Sequence, residues 1–162
     1  MKKIIFVLIM SFCVTLIACG GGQPTGDPNE PWIRAANAEL APYSLSGFAY
    51  KRADLPPAAQ WNAWFKTTGP VLQKILSETP DGYVLQVTGH ACERGPEDQE
   101  GAKPGNIKLS NDRAKNVYDA LIKNKIDSPK LTHRGVSTSM HLDGVDPKDA
   151  KQRRVSFRIV QK

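Results

Sequence analysis

The sequence predicts one α+β or α/β domain in which helices pack on a single mixed sheet, and three observations carry that prediction. Apolar residues recur at three-to-four-residue spacing in two segments. Four short segments rich in β-branched and aromatic residues alternate or run continuously apolar. The two kinds follow one another as strand, helix, strand, helix, strand, loop, strand, and no internal repeat is visible. A chain of 162 residues fits one domain once its N-terminal stretch is set aside.

That stretch has the pattern of an exported precursor. Met1-Lys2-Lys3 is positive, and Ile4 to Ile17 is apolar except for Ser11, Cys13 and Thr15. The run falls short of the roughly 20 apolar residues that a bilayer-spanning helix needs. Leu16-Ile17-Ala18-Cys19-Gly20 resembles a lipobox, so residues 1–18 are read as a lipoprotein signal peptide and Cys19 as a diacylated N-terminus. The alternative is an ordinary signal whose cleavage site happens to include a cysteine. Gly20 to about Pro31 is polar and lacks periodicity, and residues 19–42 are read as lipidated N-terminus plus flexible linker. Fully extended, Gly20 to Tyr43 would reach at most roughly 80 Å. Cys13 leaves with the signal and Cys19 carries lipid, so Cys92 is the one thiol left and no internal disulfide can form. Loss of Lys2 and Lys3 takes the net charge from +6 to +4. That mild excess suits anionic head groups or the carboxylate-rich cell wall, and nucleic acid is not an expected partner after export.

The folded domain is read as residues 43–162. Tyr43 to Tyr50 alternates loosely and predicts a strand that closes before Asp54-Leu55-Pro56-Pro57. A helix follows, with Trp61, Trp64, Phe65, Val71, Leu72, Ile75 and Leu76 on its apolar face, ending at Thr79-Pro80; Gly69-Pro70 marks a place for a kink or a division. Tyr83 to Thr88 has the composition of a buried strand after the Asp81-Gly82 turn. Residues 89–108 form a long charged loop, the kind that displays binding groups. Ser110 is the expected N-cap of a second helix with Ala114, Val117, Ala120 and Leu121 as its stripe, stopping near Asn124. Lys130 to Val136 and Arg154 to Val160 complete the strands, the last with Val155, Phe157 and Ile159 on one face.

Charged groups gather in two places, His90 to Arg113 and Lys148 to Arg154. With the helix starting at Ser110, Arg113 sits in the first turn against the positive end of the macrodipole, a placement that an anionic ligand would compensate. A guanidinium beside free helix-start N–H groups makes a carboxylate site; a plain salt bridge to Glu93, Glu97, Asp98 or Asp112 is the alternative. His90 has no nucleophile and third orienting group around it, which argues against a catalytic triad. The spacings of His90, Cys92, His133 and His141 fit no closed zinc pattern, so neither a metal nor a cofactor is expected. Cys92 is read as a passive thiol.

Two segments carry a family resemblance. Val87-Thr88-Gly89-His90-Ala91-Cys92-Glu93-Arg94-Gly95 and Asn106-Ile107-Lys108-Leu109-Ser110-Asn111-Asp112-Arg113-Ala114 resemble the OmpA C-terminal and Pal family. Leu131 to Val136 resembles the strand after its second helix, and Gln152-Arg153-Arg154-Val155 its Asn-Arg-Arg-Val before the last strand. The resemblance covers roughly residues 43–160. It implies an α+β sandwich in βαβαββ order, with two helices on a mixed four-stranded sheet. It also implies non-enzymatic, non-covalent attachment to peptidoglycan, in which a loop Asp and a helix-start Arg grip the amino and carboxylate groups of the stem-peptide diamino acid. The Arg maps onto Arg113 and the Asp onto Cys92, a departure with three readings: Glu93, one residue away, supplies the missing charge, the cell wall carries a different diamino acid, or the domain has lost wall binding. His90, Asn106, Leu109 and Arg154 complete the implied ligand-binding set. Gly20 after Cys19 points by the family's sorting rule to the periplasmic face of the outer membrane. The implied partners are peptidoglycan, the membrane through the lipid, and envelope proteins; a cell-wall hydrolase would need a catalytic pair or metal that the spacing does not supply. The rival reading is an interaction lipoprotein with a degenerate wall site that binds a protein partner.

Overall fold

A computed structural model describes residues 26–100, 104–126 and 129–162. Cys19, the lipobox and the signal segment lie outside the described residues. No helix among the described residues is long and apolar enough to cross a membrane.

Helix α1, Glu30–Leu40, occupies positions read from the sequence as flexible linker, and that part of the reading is corrected. Pro31 suits a first helical turn because the N–H it lacks has no intrahelical partner there, and Glu30 complements the dipole. Ala36 and Leu40, one turn apart, are buried where α1 packs on the last strand.

The sheet has three strands in the order β2-β1-β3: β1 is Tyr83–Gly89, β2 Leu131–Gly135 and β3 Val155–Gln161. Central β1 runs parallel to β2, with Leu85 opposite Leu131, and antiparallel to β3, with Leu85 opposite Ile159 and Val87 opposite Phe157. The fourth strand expected over Tyr43 to Tyr50 is reduced to one bridge, in which Leu45 and Val155 exchange two hydrogen bonds of 2.8 Å. Its extension is stopped on one side by the 3₁₀ turn Ala41–Tyr43, which contains Pro42, and on the other by Gly47 at φ +94°. The outer edge of β3 is closed differently. Asn37 of α1 donates from Nδ2 to the Ile159 carbonyl (3.2 Å) and accepts from the Ile159 N–H (2.7 Å), so one side chain takes the place of a neighbouring strand there.

Helix α2, Ala58–Glu78, runs unbroken through Gly69-Pro70. Its Trp61, Leu72, Ile75 and Leu76 enter the core, while Trp64 stacks on Phe157 (centroids 5.5 Å apart) and donates from Nε1 to the Tyr43 carbonyl at 3.0 Å. Helix α3, Asn106–Lys123, buries Leu109, Ala114, Val117, Ala120 and Leu121. It lies so close to the ends of β1 and β2 that a Cβ on Gly89 would overlap the Ser110 carbonyl oxygen, and one on Gly135 would overlap Ser110 Oγ and the Asn111 nitrogen. These two glycines set the depth at which α3 docks, and with it the position of the loop that leads into the helix.

Candidate functional site

The segment that follows β1 brings two of its main-chain carbonyls onto the start of α3. Pro96 and Glu97 accept from the N–H groups of Asn106 (2.8 Å) and Ile107 (3.1 Å), and Asn106 Nδ2 donates to the Gly95 carbonyl at 3.0 Å. The helix therefore begins four residues before Ser110, and the first-turn placement of Arg113 is corrected: it is the eighth residue of α3, beyond the dipole's end effect. Ser110 Oγ instead donates to the Ile107 carbonyl and accepts from the Ser137 N–H, stitching α3 to the segment after β2.

Arg113 is 1% exposed, yet its partners are all neutral main-chain carbonyls. Nε donates to Arg52 (3.1 Å), Nη1 to His90 (3.0 Å), and Nη2 to Arg52 (2.8 Å) and Ala49 (3.3 Å). A guanidinium has five N–H groups, so one on Nη1 has no acceptor among the described residues. Neither is there a carboxylate partner: Asp112 pairs with Lys108 at 2.5 Å, Glu97 accepts from Thr138 Oγ1 at 3.4 Å, and Glu93 lies 3.4 Å from His141 Nε2 without hydrogen-bond geometry. The salt-bridge alternative for Arg113 is thus not what is found. Burial chiefly, and the charge of Arg153 next, lower its pKa to about 10, against a smaller opposing effect of Cys92; at neutral pH it stays charged.

A narrow cleft opens beside it, with a volume of about 10 Å3, room for one water molecule. Cys92, Asn106, Leu109 and Arg113 line it together with Tyr50, Lys51 and Arg153. Of the residues singled out in the sequence, four converge there and three do not. Glu93 is turned toward His141. His90 and Arg154 lie behind the cleft, where His90 Nδ1 (3.2 Å) and Arg154 Nη2 (3.0 Å) both donate to the Met140 carbonyl. Arg154 Nη1 also donates to Gln152 Oε1, and His90 Nε2 accepts from the Ser156 hydroxyl at 2.8 Å. These two residues fasten the segment between β2 and β3 to the sheet. Burial lowers the pKa of Arg154, and burial followed by the Arg154 charge lowers that of His90 to about 3, so His90 is neutral at physiological pH.

Tyr50 and Lys51 were not expected at the site from the sequence; Arg153, read there only as part of the basic run Lys148 to Arg154, donates from Nε to the Phe48 carbonyl (2.8 Å) and from Nη1 to Cys92 Sγ (3.7 Å). Its signal in the sequence is its place in that basic run, two residues before β3 begins. Tyr50 closes the cleft's outer side, its hydroxyl donating to the Arg94 carbonyl at 2.9 Å, and the adjacent Lys51 at φ +56° sits over its ring. No group of three His, Cys, Asp or Glu side chains among the described residues is placed to hold a metal.

Comparison with known proteins bears on this site. The family model described as OmpA family matches residues 48–154, which include every residue lining the cleft. Among curated proteins, none matches significantly. Among solved structures, the peptidoglycan-associated lipoprotein from Burkholderia pseudomallei is 17% identical over 72% of this chain and 89% of its own, with a TM-score of 0.54. The C-terminal domain of Helicobacter pylori MotB is 13% identical over 73% and 86%, with a TM-score of 0.52. The OmpA-like domain of FopA1 from Francisella tularensis is 24% identical over 72% and 69%, with a TM-score of 0.45. At 17% and 13% identity the likeness to the lipoprotein and to MotB is one of fold.

Proposed function

This chain belongs to the OmpA family, and on that premise we propose that it is a lipoprotein whose domain binds peptidoglycan non-covalently, without catalysing a reaction. The observation that carries the reading is Arg113, a buried guanidinium at the wall of a cleft with no carboxylate to neutralise it. A buried charge without a counter-ion is costly, and a stem-peptide carboxylate entering the cleft would offset that cost. The peptidoglycan-associated lipoprotein from Burkholderia pseudomallei, a structural neighbour, supports the reading by its name.

In the same reading Cys19 carries the acyl chains and holds the protein at the periplasmic face of the outer membrane. Because α1 packs on the domain, the tether shortens to residues 20–29. Ten residues reach at most roughly 35 Å fully extended, less than half the span of a linker running to Tyr43. A second reading rests on Cys92, which stands where the resemblance places an Asp: the wall site is degenerate and the domain binds an envelope protein instead.

Co-sedimentation of the full chain in detergent with isolated sacculi tests the first reading. Native protein should pellet, and Arg113→Ala and Arg153→Gln, each checked for an unchanged melting profile, should stay in the supernatant. Native protein that stays soluble while Cys92→Asp pellets would favour the second reading.

A further inference from the structure

The charge of the cleft specifies its ligand more closely than wall binding alone. Among the described residues its walls bring three cationic side chains together, Lys51, Arg113 and Arg153, and no acidic one. Glu93, the nearest acid in sequence to Cys92, is turned away toward His141. Cys92 sits between the arginines and accepts a hydrogen bond from Arg153 Nη1, so the position is filled by a weak acceptor and leaves no acidic group for a ligand ammonium. Cationic lining continues past Arg153 into an open groove of about 290 Å3 that also displays Lys151.

A zwitterionic group placed here would gain at its carboxylate and lose at its ammonium, which meets like charge without a partner. An anionic group alone would gain without that loss. Resting on the wall-binding reading above, we infer that the cleft takes a stem-peptide carboxylate whose neighbouring amine is blocked. That chemistry is found where the side-chain amine of the diamino acid is already an amide, as in a cross-linked peptide. The site thereby selects cross-linked wall over free stem peptides. Entry requires the Tyr50 ring to swing out, since the closed cleft admits only a water; the ring is 43% exposed and its hydroxyl is held by one hydrogen bond.

The test is calorimetric titration of the full chain in detergent with two muramyl tripeptides that differ only in whether the side-chain amine of the terminal diamino acid is free or acetylated. Native protein should bind the acetylated peptide at least threefold more tightly, and Cys92→Asp should reverse the order by tenfold or more. Equal affinity, or tighter binding of the free amine by the native protein, overturns the inference. Failure to bind either peptide by a protein that still pellets with sacculi also overturns it, because wall binding then resides elsewhere. Failure in both assays removes the wall-binding reading itself.

Discussion

Acidification below pH 6.5 should destabilise this domain through His90. The ring is 2% exposed, and Nδ1 lies 3.2 Å from the Met140 carbonyl. A carbonyl can only accept, so Nδ1 carries the proton and Nε2 accepts from the Ser156 hydroxyl at 2.8 Å. A second proton would place charge in a buried site beside Arg154, with His141 also nearby; these effects outweigh the bond to Met140 and hold the folded pKa at about 3 against 6.5. The unfolded chain accepts the proton that the folded one refuses. His90's contribution is therefore complete above pH 6.5 and is lost as pH falls from 6.5 toward 3, at up to about 1.4 kcal/mol per pH unit. At pH 5 the loss amounts to about 2 kcal/mol. Urea unfolding followed by tryptophan fluorescence at pH 7 and pH 5 measures it, with His90→Gln as a reference that bears no titrating ring. Native protein should lose about 2 kcal/mol more than the variant between the two pH values. Equal losses in both would refute the assignment of a buried neutral imidazole.

Other parts of the fold make equally definite predictions. Gly89→Ala should cost about 2–4 kcal/mol in chemical denaturation, because its Cβ meets the rigid Ser110 carbonyl and not a side chain that can turn aside. Asn37→Ala should cost about 1–2 kcal/mol by unpairing both main-chain groups of Ile159. A chain beginning at Tyr43 should lose that and the burial of Leu40 together, melting well below the full chain and aggregating through the uncovered β3 edge. Ser137→Gly should raise stability by about 1 kcal/mol, since Ser137 sits at φ +49° and buries a hydroxyl without a partner; an unchanged melting temperature would contradict this.

What could be read from the sequence follows from which forces leave a periodic trace. β1, β2 and β3 fall within a residue or two of their expected places because β1 is a short β-branched and apolar run bounded by a turn, and Val155, Phe157 and Ile159 of β3 recur every second residue toward one core. Helix α1 was missed although Ile33, Ala36 and Leu40 recur at helical spacing, because the polar, Gly- and Pro-rich run before them masks the signal. The start of α3 was not legible, because its first N–H groups are capped by the carbonyls of Pro96 and Glu97, and main-chain caps have no residue signature. Ser110, a plausible N-cap by type, serves a tertiary contact instead. In the site, Cys92, Asn106, Leu109 and Arg113 came from motif position, whereas Arg153 stood in a basic run, Lys148 to Arg154, that sequence alone does not sort into cleft-lining and buried members. His90 and Arg154 show the limit of motif reasoning, since both are buried in a polar network that holds a loop and neither lines the cleft.

Entry of the wall peptide beside Arg113 is best followed by amide and arginine-side-chain NMR of the full chain in detergent, titrated with soluble muropeptides. It should shift the Arg113 and Arg153 guanidinium signals and the Tyr50, Cys92 and Asn106 amides before any others. Shifts confined to other surfaces, with those signals unmoved at saturation, would contradict it.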